Sequence, residues 1–370
     1  MKTFKAMMMK LHVVFIGNKF IYNKPLREYS IRKIEEKSDF VSSYTYYQDG
    51  DNAFFLELEE KLQDKINLII ITTKQNFSTL GKVLCTITSD NQVLKENMLI
   101  PQKSSLFEEG SYLLEYNGSV VNVLHVNEMQ KMPELLIDTH ENKANIHIFE
   151  EDKESVLPIL NPIAQTYDVS VDIVTIIDGW LRVDISSNRY GNLSKFIKSA
   201  KQLLPHKLIS ASNVIGHIIE SLSRQNKTIT FAESCTGGLL SYYFTKNNGA
   251  SKILHGSLVT YSNELKENWL AVEQQTLEEE GAVSYGVVEQ MSDGAINVSH
   301  ADYSLSISGI AGEGGGTELK PVGTVYIGVR HGTTHYEMHL KLEGDRNYIQ
   351  EQSALHAIKM LVLTDRETFF

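Results

Sequence analysis

The apolar run "INLIIITT" at residues 66–73 constrains the fold of this chain more than any other feature. Continuous apolar runs are typical of parallel strands that helices cover on both faces. Ahead of it the pattern predicts a strand at 11–17, a helix at 26–37, a strand at 40–50 and a helix at 52–64. Strands and helices that alternate in this way predict an α/β domain over residues 9–140.

The rest of the chain divides into two further predicted domains. Residues 97–135 are turn-rich and β-like, and residues 141–208 read as strand, helix, strands and helix, which predicts a small α+β linking module. The composition changes near residue 209. From there to residue 370 we predict helices at 212–225, 236–246, 264–270, 285–299 and 345–363, and strands at 228–233, 253–261, 303–312, 323–331 and 336–344.

Composition excludes several classes of protein. The chain has 370 residues, of which 42% are hydrophobic and 22% charged, as in globular proteins. Its formal net charge is −11 and its basic residues are scattered, so we expect no nucleic-acid partner. Only Cys85 and Cys235 are present, without metal-ligand spacing, so we predict neither a disulfide nor a zinc site and expect a cytoplasmic protein. No apolar run has the ~20 residues that cross a bilayer, so no membrane partner is expected.

The stretch "FAESCTGGLL" at 231–240 ends a predicted strand in small polar residues. Thr236, Gly237 and Gly238 would begin a helix, whose free amides and dipole attract anions. An ordinary helix cap by Ser234 or Thr236 explains the same residues equally well. We interpret Cys235 as a packing residue, because no histidine stands near it in sequence.

A cluster of glycines follows a later predicted strand, in "SGIAGEGGGT" at 308–317. Without Cβ atoms, backbone amides can approach an anion closely and form a phosphate nest. A flexible hairpin loop is the plainer interpretation, and neither standard nucleotide-binding glycine motif is present. The cluster consists of Gly312, Gly314, Gly315 and Gly316, followed by Thr317.

Ser251 and Lys266 flank the predicted strand at 253–261. A serine hydroxyl becomes a nucleophile when a base takes its proton, and a lysine whose pKa is lowered by burial can be that base. Their separation of fifteen positions is uninformative by itself, and most such lysines are solvated surface charges.

Taken together and in order, the motifs of residues 209 to about 364 resemble the CinA family, the competence-damage-inducible proteins. The matching stretches are "AESCTGG", "YSNELK", "GAVS", "GIAGEGGGT", "KPVGT" and "GDR". The resemblance implies a three-layer α/β/α amidohydrolase domain that hydrolyses nicotinamide mononucleotide by a serine–lysine mechanism. It places the nucleophile at Ser251 and the general base at Lys266. It also places the active pocket at Ser234, Tyr261, Ser308 and Arg346.

Two positions depart from the family pattern in this domain. Ser308 stands where threonine is usual, which keeps the hydroxyl. Glu313 replaces a common proline in the glycine loop and adds a negative charge beside the expected phosphate site.

The first domain resembles the family's molybdopterin-binding-like α/β domain, an ADP-ribose hydrolase that uses a divalent metal, but its motifs have decayed. "FIGNKF" at 15–20 keeps Gly17 and places Asn18 and Lys19 at the acidic region. "TTKQNFSTLG" at 72–81 has lost the glycines and acids of the corresponding motif. A later motif survives only as "HVNEM" at 125–129. We therefore predict an inactive first domain.

The resemblance implies a hydrolase in pyridine-nucleotide salvage that needs no cofactor or metal, takes a small nucleotide as substrate and forms a homodimer. The alternative is a noncatalytic protein that senses a nucleotide or binds a partner, with a role linked to DNA uptake or repair. The linking module has the element order of an RNA-binding KH unit but lacks its G-x-x-G loop, which argues against RNA binding.

Overall fold

The computed structural model describes residues 4–5, 11–38, 41–138, 143–187 and 190–370. The chain separates into two compact units, Met1–Lys143 and Ala144–Phe370. The predicted domain limits at residues 9, 140 and 141 lie outside the described residues, as does Phe40 in the second predicted strand. Within the described ranges, no helix combines the length and the apolarity that crossing a bilayer requires.

The first unit is built on a six-stranded sheet in the order β3-β2-β4-β9-β8-β7. The strands β3, β2, β4 and β9 are parallel to one another, whereas β8 is antiparallel to β9, and β7 is antiparallel to β8. Its strands are β1 Phe4–Lys5, β2 Leu11–Ile16, β3 Ser43–Tyr47, β4 Asn67–Thr72, β5 Gln92–Lys95, β6 Met98–Pro101, β7 Leu106–Glu108, β8 Ser111–Tyr116, β9 Ser119–His125 and β10 Ile137–Asp138. Its helices are α1 Asn18–Tyr22, α2 Lys24–Glu35, α3 Ala53–Gln63 and α4 Lys74–Ile87.

Helices cover both faces of this sheet, as the apolar run predicts. Every residue of β4 is buried. One apolar cluster joins α1 and α2 to one face of the sheet, and a second joins α3 and α4 to the other. The α/β prediction is confirmed, but α4 was not predicted, because the polar start of "TTKQNFSTLG" conceals the helical periodicity of this segment.

The second unit begins with a four-stranded sheet in the order β12-β13-β11-β14 and two helices. Their bounds are β11 Lys143–Phe149, α5 Lys153–Tyr167, β12 Val169–Ile177, β13 Trp180–Ser187, α6 Leu193–Leu203 and β14 Leu208–Ile209. This order agrees with the predicted linking module. The module also shares a core with the remainder of its unit, because Phe149, Ile177 and Trp180 belong to the main apolar cluster of residues 209–370.

The remainder of the second unit is a five-stranded sheet in the order β16-β15-β17-β18-β19. β16, β15 and β17 are parallel, whereas β18 and β19 are antiparallel to their neighbours. The strands are β15 Ile229–Glu233, β16 Leu254–Val259, β17 Tyr303–Gly309, β18 Thr324–His331 and β19 Thr334–Lys341. The helices are α7 Val214–Arg224, α8 Leu239–Thr245, α9 Asn263–Leu270, α10 Gln274–Glu279, α11 Tyr285–Ser299, α12 Arg346–Thr364 and α13 Arg366–Phe369.

Two helical layers enclose this sheet. α7, α8 and α12 pack on one face through the main apolar cluster, and α9, α10 and α11 pack on the other through a smaller one. The predicted three-layer α/β/α architecture is confirmed. The helices predicted at 264–270, 285–299 and 345–363 are displaced by at most one residue at either end.

Candidate active site

A cleft of about 250 Å³ opens at the carboxyl ends of the three parallel strands of the second unit. Open α/β sheets place ligand clefts at this edge, because the loops after neighbouring parallel strands converge there. The lining residues come from five separate segments: Ser234, Cys235, Tyr261, Asn263, Lys266, Ala282, Val283, Ser308, Gly309, Ile310, Ala311, Gly312, Glu313, Gly315 and Arg346.

Lys266 is buried at the floor of this cleft, with 1% of its surface exposed. It lies in α9, whose first turn is capped by the Ser262 side chain. Its Nζ donates to Ser234 Oγ over 3.0 Å and to the Thr260 carbonyl over 2.7 Å. Burial lowers the pKa of the amine from 10.5 to about 8, since desolvation disfavours the charged form. The amine can therefore lose its proton at neutral pH far more readily than a surface lysine.

Glu233, the last residue of β15, holds the turn that presents Ser234. Its fully buried side chain accepts hydrogen bonds from the amides of Gly238, Leu240 and Ser241, at 2.9–3.0 Å. The hydroxyls of Thr236 and Ser257 also donate to it, at 2.8 and 3.1 Å. Five donors on one carboxylate fix the backbone between the strand and α8.

This arrangement corrects the predicted anion site at the start of α8. The helix begins at Leu239 and not at Thr236, because Gly237 and Gly238 both have positive φ, 60° and 100°. The amides that would meet an anion already bind Glu233, and the Gly237 amide donates to the Ser234 carbonyl. Thr236, Gly237 and Gly238 therefore shape the turn. The predicted helix start at residue 236 is wrong, and substrate binding by these residues stays a prediction.

The predicted pair of Ser251 and Lys266 is also wrong. Ser251 lies exposed in a 3₁₀ turn, Ala250–Lys252, which precedes β16, whereas Lys266 comes after that strand. The six residues of β16 span about 20 Å at the rise of an extended strand. The two residues therefore lie beyond opposite ends of β16. The serine beside Lys266 is Ser234.

The glycine loop forms one wall of the cleft through Gly312, Glu313 and Gly315. A Cβ at Gly312 would lie 2.6 Å from Arg346 Nη1, so a side chain at this position would displace the guanidinium from its present place. Arg346 Nη2 also donates to the Tyr261 hydroxyl over 2.6 Å. The cleft thus combines a guanidinium, a phenol and the backbone of a glycine loop at its mouth.

Two side chains hold another wall of the cleft, the loop at 280–283. Ser308 Oγ donates to the Ala282 carbonyl over 2.6 Å. Lys320 Nζ donates to the carbonyls of Glu280 and Val283, at 2.6 and 2.7 Å. Ser308 is therefore a cleft residue, as predicted, but its hydroxyl is engaged with the backbone.

The structure brings together about half of the predicted site residues. Those that line the cleft are Ser234, Tyr261, Lys266, Ser308, Gly312, Gly315 and Arg346. Those outside its lining are Ser251, Thr236, Gly237, Gly238, Gly314, Gly316 and Thr317. Thr317 instead closes a turn with Lys320, whose amide donates to the Thr317 hydroxyl.

Sequence reasoning missed four contributors to the site. Cys235 lines the cleft, although burial raises the pKa of its thiol to about 12 and keeps it protonated, in agreement with its interpretation as a packing residue. Asn263 also lines the cleft, while Glu233 and Lys320 position its walls. An acid that ends an apolar strand, as Glu233 does, is the one signal in the sequence that could have been noticed, since a buried carboxylate needs several donors.

Comparisons with known proteins show which family this part of the chain is similar to. Residues 211–364 match the family model described as the CinA C-terminal domain. A competence-damage inducible protein of Thermoanaerobacter sp. (strain X514) is 43% identical over 144 residues, which is 39% of this chain and 35% of that protein. The chain thus matches about a third of the length of such relatives. A CinA-like protein of Petrotoga mobilis is 29% identical over 321 residues, covering 83% of this chain and 75% of that protein.

Among solved structures, a competence/damage inducible protein called CihA, from Agrobacterium tumefaciens, is 31% identical to the matched part. The match covers 42% of this chain and 99% of that one, with a TM-score of 0.40.

Proposed function

The chain belongs to the CinA family, and we propose that its second unit hydrolyses the carboxamide of nicotinamide mononucleotide to nicotinic acid mononucleotide and ammonia. The observation that carries this proposal is the 3.0 Å contact between Lys266 Nζ and Ser234 Oγ inside the cleft. A hydroxyl beside a buried amine of lowered pKa is the arrangement that nucleophilic catalysis by serine requires. The resemblance to the family supplies the substrate.

In the proposed mechanism the neutral amine of Lys266 takes the proton of Ser234 as its oxygen attacks the amide carbon. The Thr260 carbonyl holds the amine in place for this transfer. The tetrahedral intermediate collapses as the protonated amine delivers its proton to the leaving nitrogen, and ammonia departs. Water then attacks the acyl-enzyme, again with Lys266 as base, and frees the carboxylic acid and Ser234.

The remaining cleft residues supply charge stabilisation and binding. The Tyr261 hydroxyl accepts from Arg346, which leaves its own proton available for the oxyanion. Backbone amides beside Ser234 are the other candidates for that role. The glycine loop and Arg346 would bind the substrate phosphate, because a guanidinium forms paired hydrogen bonds with phosphate oxygens. Glu313 lines the same wall and would weaken phosphate binding by repulsion.

The test is ammonia release from nicotinamide mononucleotide by the full chain, with and without chelator. We expect turnover in both conditions. Ser234→Ala and Lys266→Ala should each lower kcat by about 10⁴, because nucleophile and base act as a unit. Ser251→Ala is the matched control and should keep a rate within about twofold of wild type, since surface residues away from the site contribute little.

Two results would contradict this proposal. If Ser251→Ala lost activity while Ser234→Ala kept it, the nucleophile would be Ser251, as the family resemblance implies. Binding of nicotinamide mononucleotide without ammonia release would favour the alternative of a noncatalytic nucleotide sensor. Circular dichroism of each variant separates lost chemistry from lost structure.

A further inference from the structure

A histidine and two glutamates meet on the face of the second unit's sheet that α11 covers. Glu289 lies on α11, and His335 and Glu337 lie on the edge strand β19. One ligating atom from each of the three side chains lies within 4.8 Å of the other two. None of the three lines the cleft.

The fold brings these side chains together through a close helix approach. His335 and Glu337 are two positions apart on a strand and therefore point to the same face. Glu337 pairs across the sheet with Gly328, and a Cβ at Gly328 would lie 2.9 Å from the Val288 carbonyl of α11. The absence of a side chain at Gly328 thus lets the helix lie close enough for Glu289 to reach β19.

The charges of this cluster are unbalanced. Asp293, one turn along α11 from Glu289, pairs with Arg330 through a 2.7 Å contact. With that pair neutralised, Glu289 and Glu337 retain two negative charges.

His335 adds a nitrogen that has no hydrogen-bond partner among the described residues. Its Nδ1 is shielded from solvent, 3.6 Å from Asp293 Oδ1 and 4.0 Å from Glu289 Oε1, both beyond hydrogen-bonding distance. A structural contact of the imidazole with the neighbouring carboxylates is the plain explanation. A cation bound by the nitrogen and the carboxylates would satisfy the same atoms and also balance the two charges.

We propose that Glu289, His335 and Glu337 form a binding site for one divalent transition-metal ion, with zinc as the best match. One imidazole and two carboxylates are ligands that zinc accepts, and three protein ligands leave a position for water. Magnesium is a poorer match, because it prefers oxygen ligands alone. The ion would tie α11 to the edge strand and act on stability, apart from the chemistry of the cleft.

The experiment is equilibrium dialysis of the metal-free full chain against zinc chloride, with bound zinc measured by mass spectrometry. We expect one zinc per chain and a Tm that rises with zinc concentration, because binding to the folded state alone stabilises it. Glu289→Gln and His335→Ala should each weaken zinc binding at least tenfold and remove the Tm increase.

The matched control is His300→Asn, which removes another exposed histidine at the end of α11 and suits its positive φ of 56°. It should bind zinc as the wild type does. Glu289 is exposed, and glutamine has the same shape as glutamate, so Glu289→Gln should fold. If His335→Ala does not fold, zinc binding by Glu289→Gln is the deciding measurement. Absence of zinc binding in the wild type, or equal binding by wild type and Glu289→Gln, would overturn the proposal. Neither readout depends on ammonia release.

Discussion

Lys266 gives the proposed reaction a pH dependence. The base must be neutral, and burial lowers the pKa of this amine to about 8. The neutral fraction is therefore about a tenth at pH 7 and rises about tenfold with each pH unit below the pKa. We expect kcat/KM to rise with that slope from pH 6.5 and to level off above about pH 8. The substrate phosphate loses its second proton near pH 6, which is below the pH range in which we expect kcat/KM to rise.

A rate profile between pH 6.5 and 10 checks this expectation, with circular dichroism at each pH as the control for folding. Lys266→Arg should be inactive throughout, because a guanidinium keeps its proton at these pH values. A wild-type profile that is flat from pH 6.5 to 9 would argue against Lys266 as the base.

Sequence reasoning placed Lys266 in the pocket but did not identify the serine that lies beside it. The structure places Lys266 in the cleft, and its role as the general base stays a prediction. Ser251 and Lys266 flank one strand, so the geometry of an extended strand alone separates them by about 20 Å. Ser234 directly follows the neighbouring parallel strand, and the carboxyl ends of adjacent parallel strands lie together. The contact between Ser234 and Lys266 depends on the order of strands in the sheet, which the spacing of residues along the chain does not reveal.

At the scale of elements, the strand–turn–helix segment at 229–245 depends on the buried side chain of Glu233. Glu233→Gln replaces one acceptor oxygen by an amino group that faces backbone donors. Leaving such buried donors without acceptors should lower the free energy of unfolding by about 3 kcal/mol. We also expect kcat to fall, because Ser234 is the next residue.

Urea denaturation and the ammonia assay measure the two effects. Glu220→Gln is the matched control, since it makes the same chemical change on the exposed side of α7 and should alter stability by less than about 0.5 kcal/mol. A Glu233→Gln variant as stable and active as this control would show that the five hydrogen bonds do not hold the turn.

The start of α8 shows why element boundaries escape sequence reasoning. "TGG" suggests the first residues of a helix, but Gly237 and Gly238 adopt positive φ and delay the helix to Leu239. The position at which α8 begins depends on the Glu233 carboxylate, which accepts hydrogen bonds from the amides of Gly238, Leu240 and Ser241. In contrast, α11 and α12 each begin directly after a capping residue, Ser284 and Asp345, and their bounds were predicted within a residue.

At the scale of the whole molecule, the chain separates into two compact units, and the division into three domains stays a prediction. The linking module has its own sheet and apolar core, which the sequence pattern indicated. Phe149, Ile177 and Trp180 nevertheless pack into the core of residues 209–370. Hydrophobic periodicity reveals that a face is buried and does not reveal which element buries it. The boundary at residues 208 and 209 stays a prediction, as does the homodimer.

The first unit keeps an α/β fold in which the carboxylates near Gly17 bind other groups of the protein. Gly17 is kept between β2 and α1, where φ is 132° and a Cβ would lie 2.6 Å from Thr73 Cγ2. Nearby, Lys19 pairs with Glu128 over 3.4 Å. Asp49 accepts from the Asn18 amide over 2.9 Å and from Asn76 Nδ2 over 2.7 Å. The two carboxylates at this edge are thus engaged with the protein itself.

We therefore expect the full chain not to hydrolyse ADP-ribose, because that reaction needs a divalent cation held by free carboxylates beside two phosphates. Lys19 and Lys74 can still attract an anion, so binding without turnover is compatible with this expectation. The measurement is incubation with magnesium, manganese or cobalt in turn and chromatography for AMP and ribose 5-phosphate, against a heat-killed control. Metal-dependent formation of both products that Asp49→Asn abolishes would place a working site at this edge and refute the prediction. Product formation that survives Asp49→Asn would point to a contaminating enzyme or to another site in the chain.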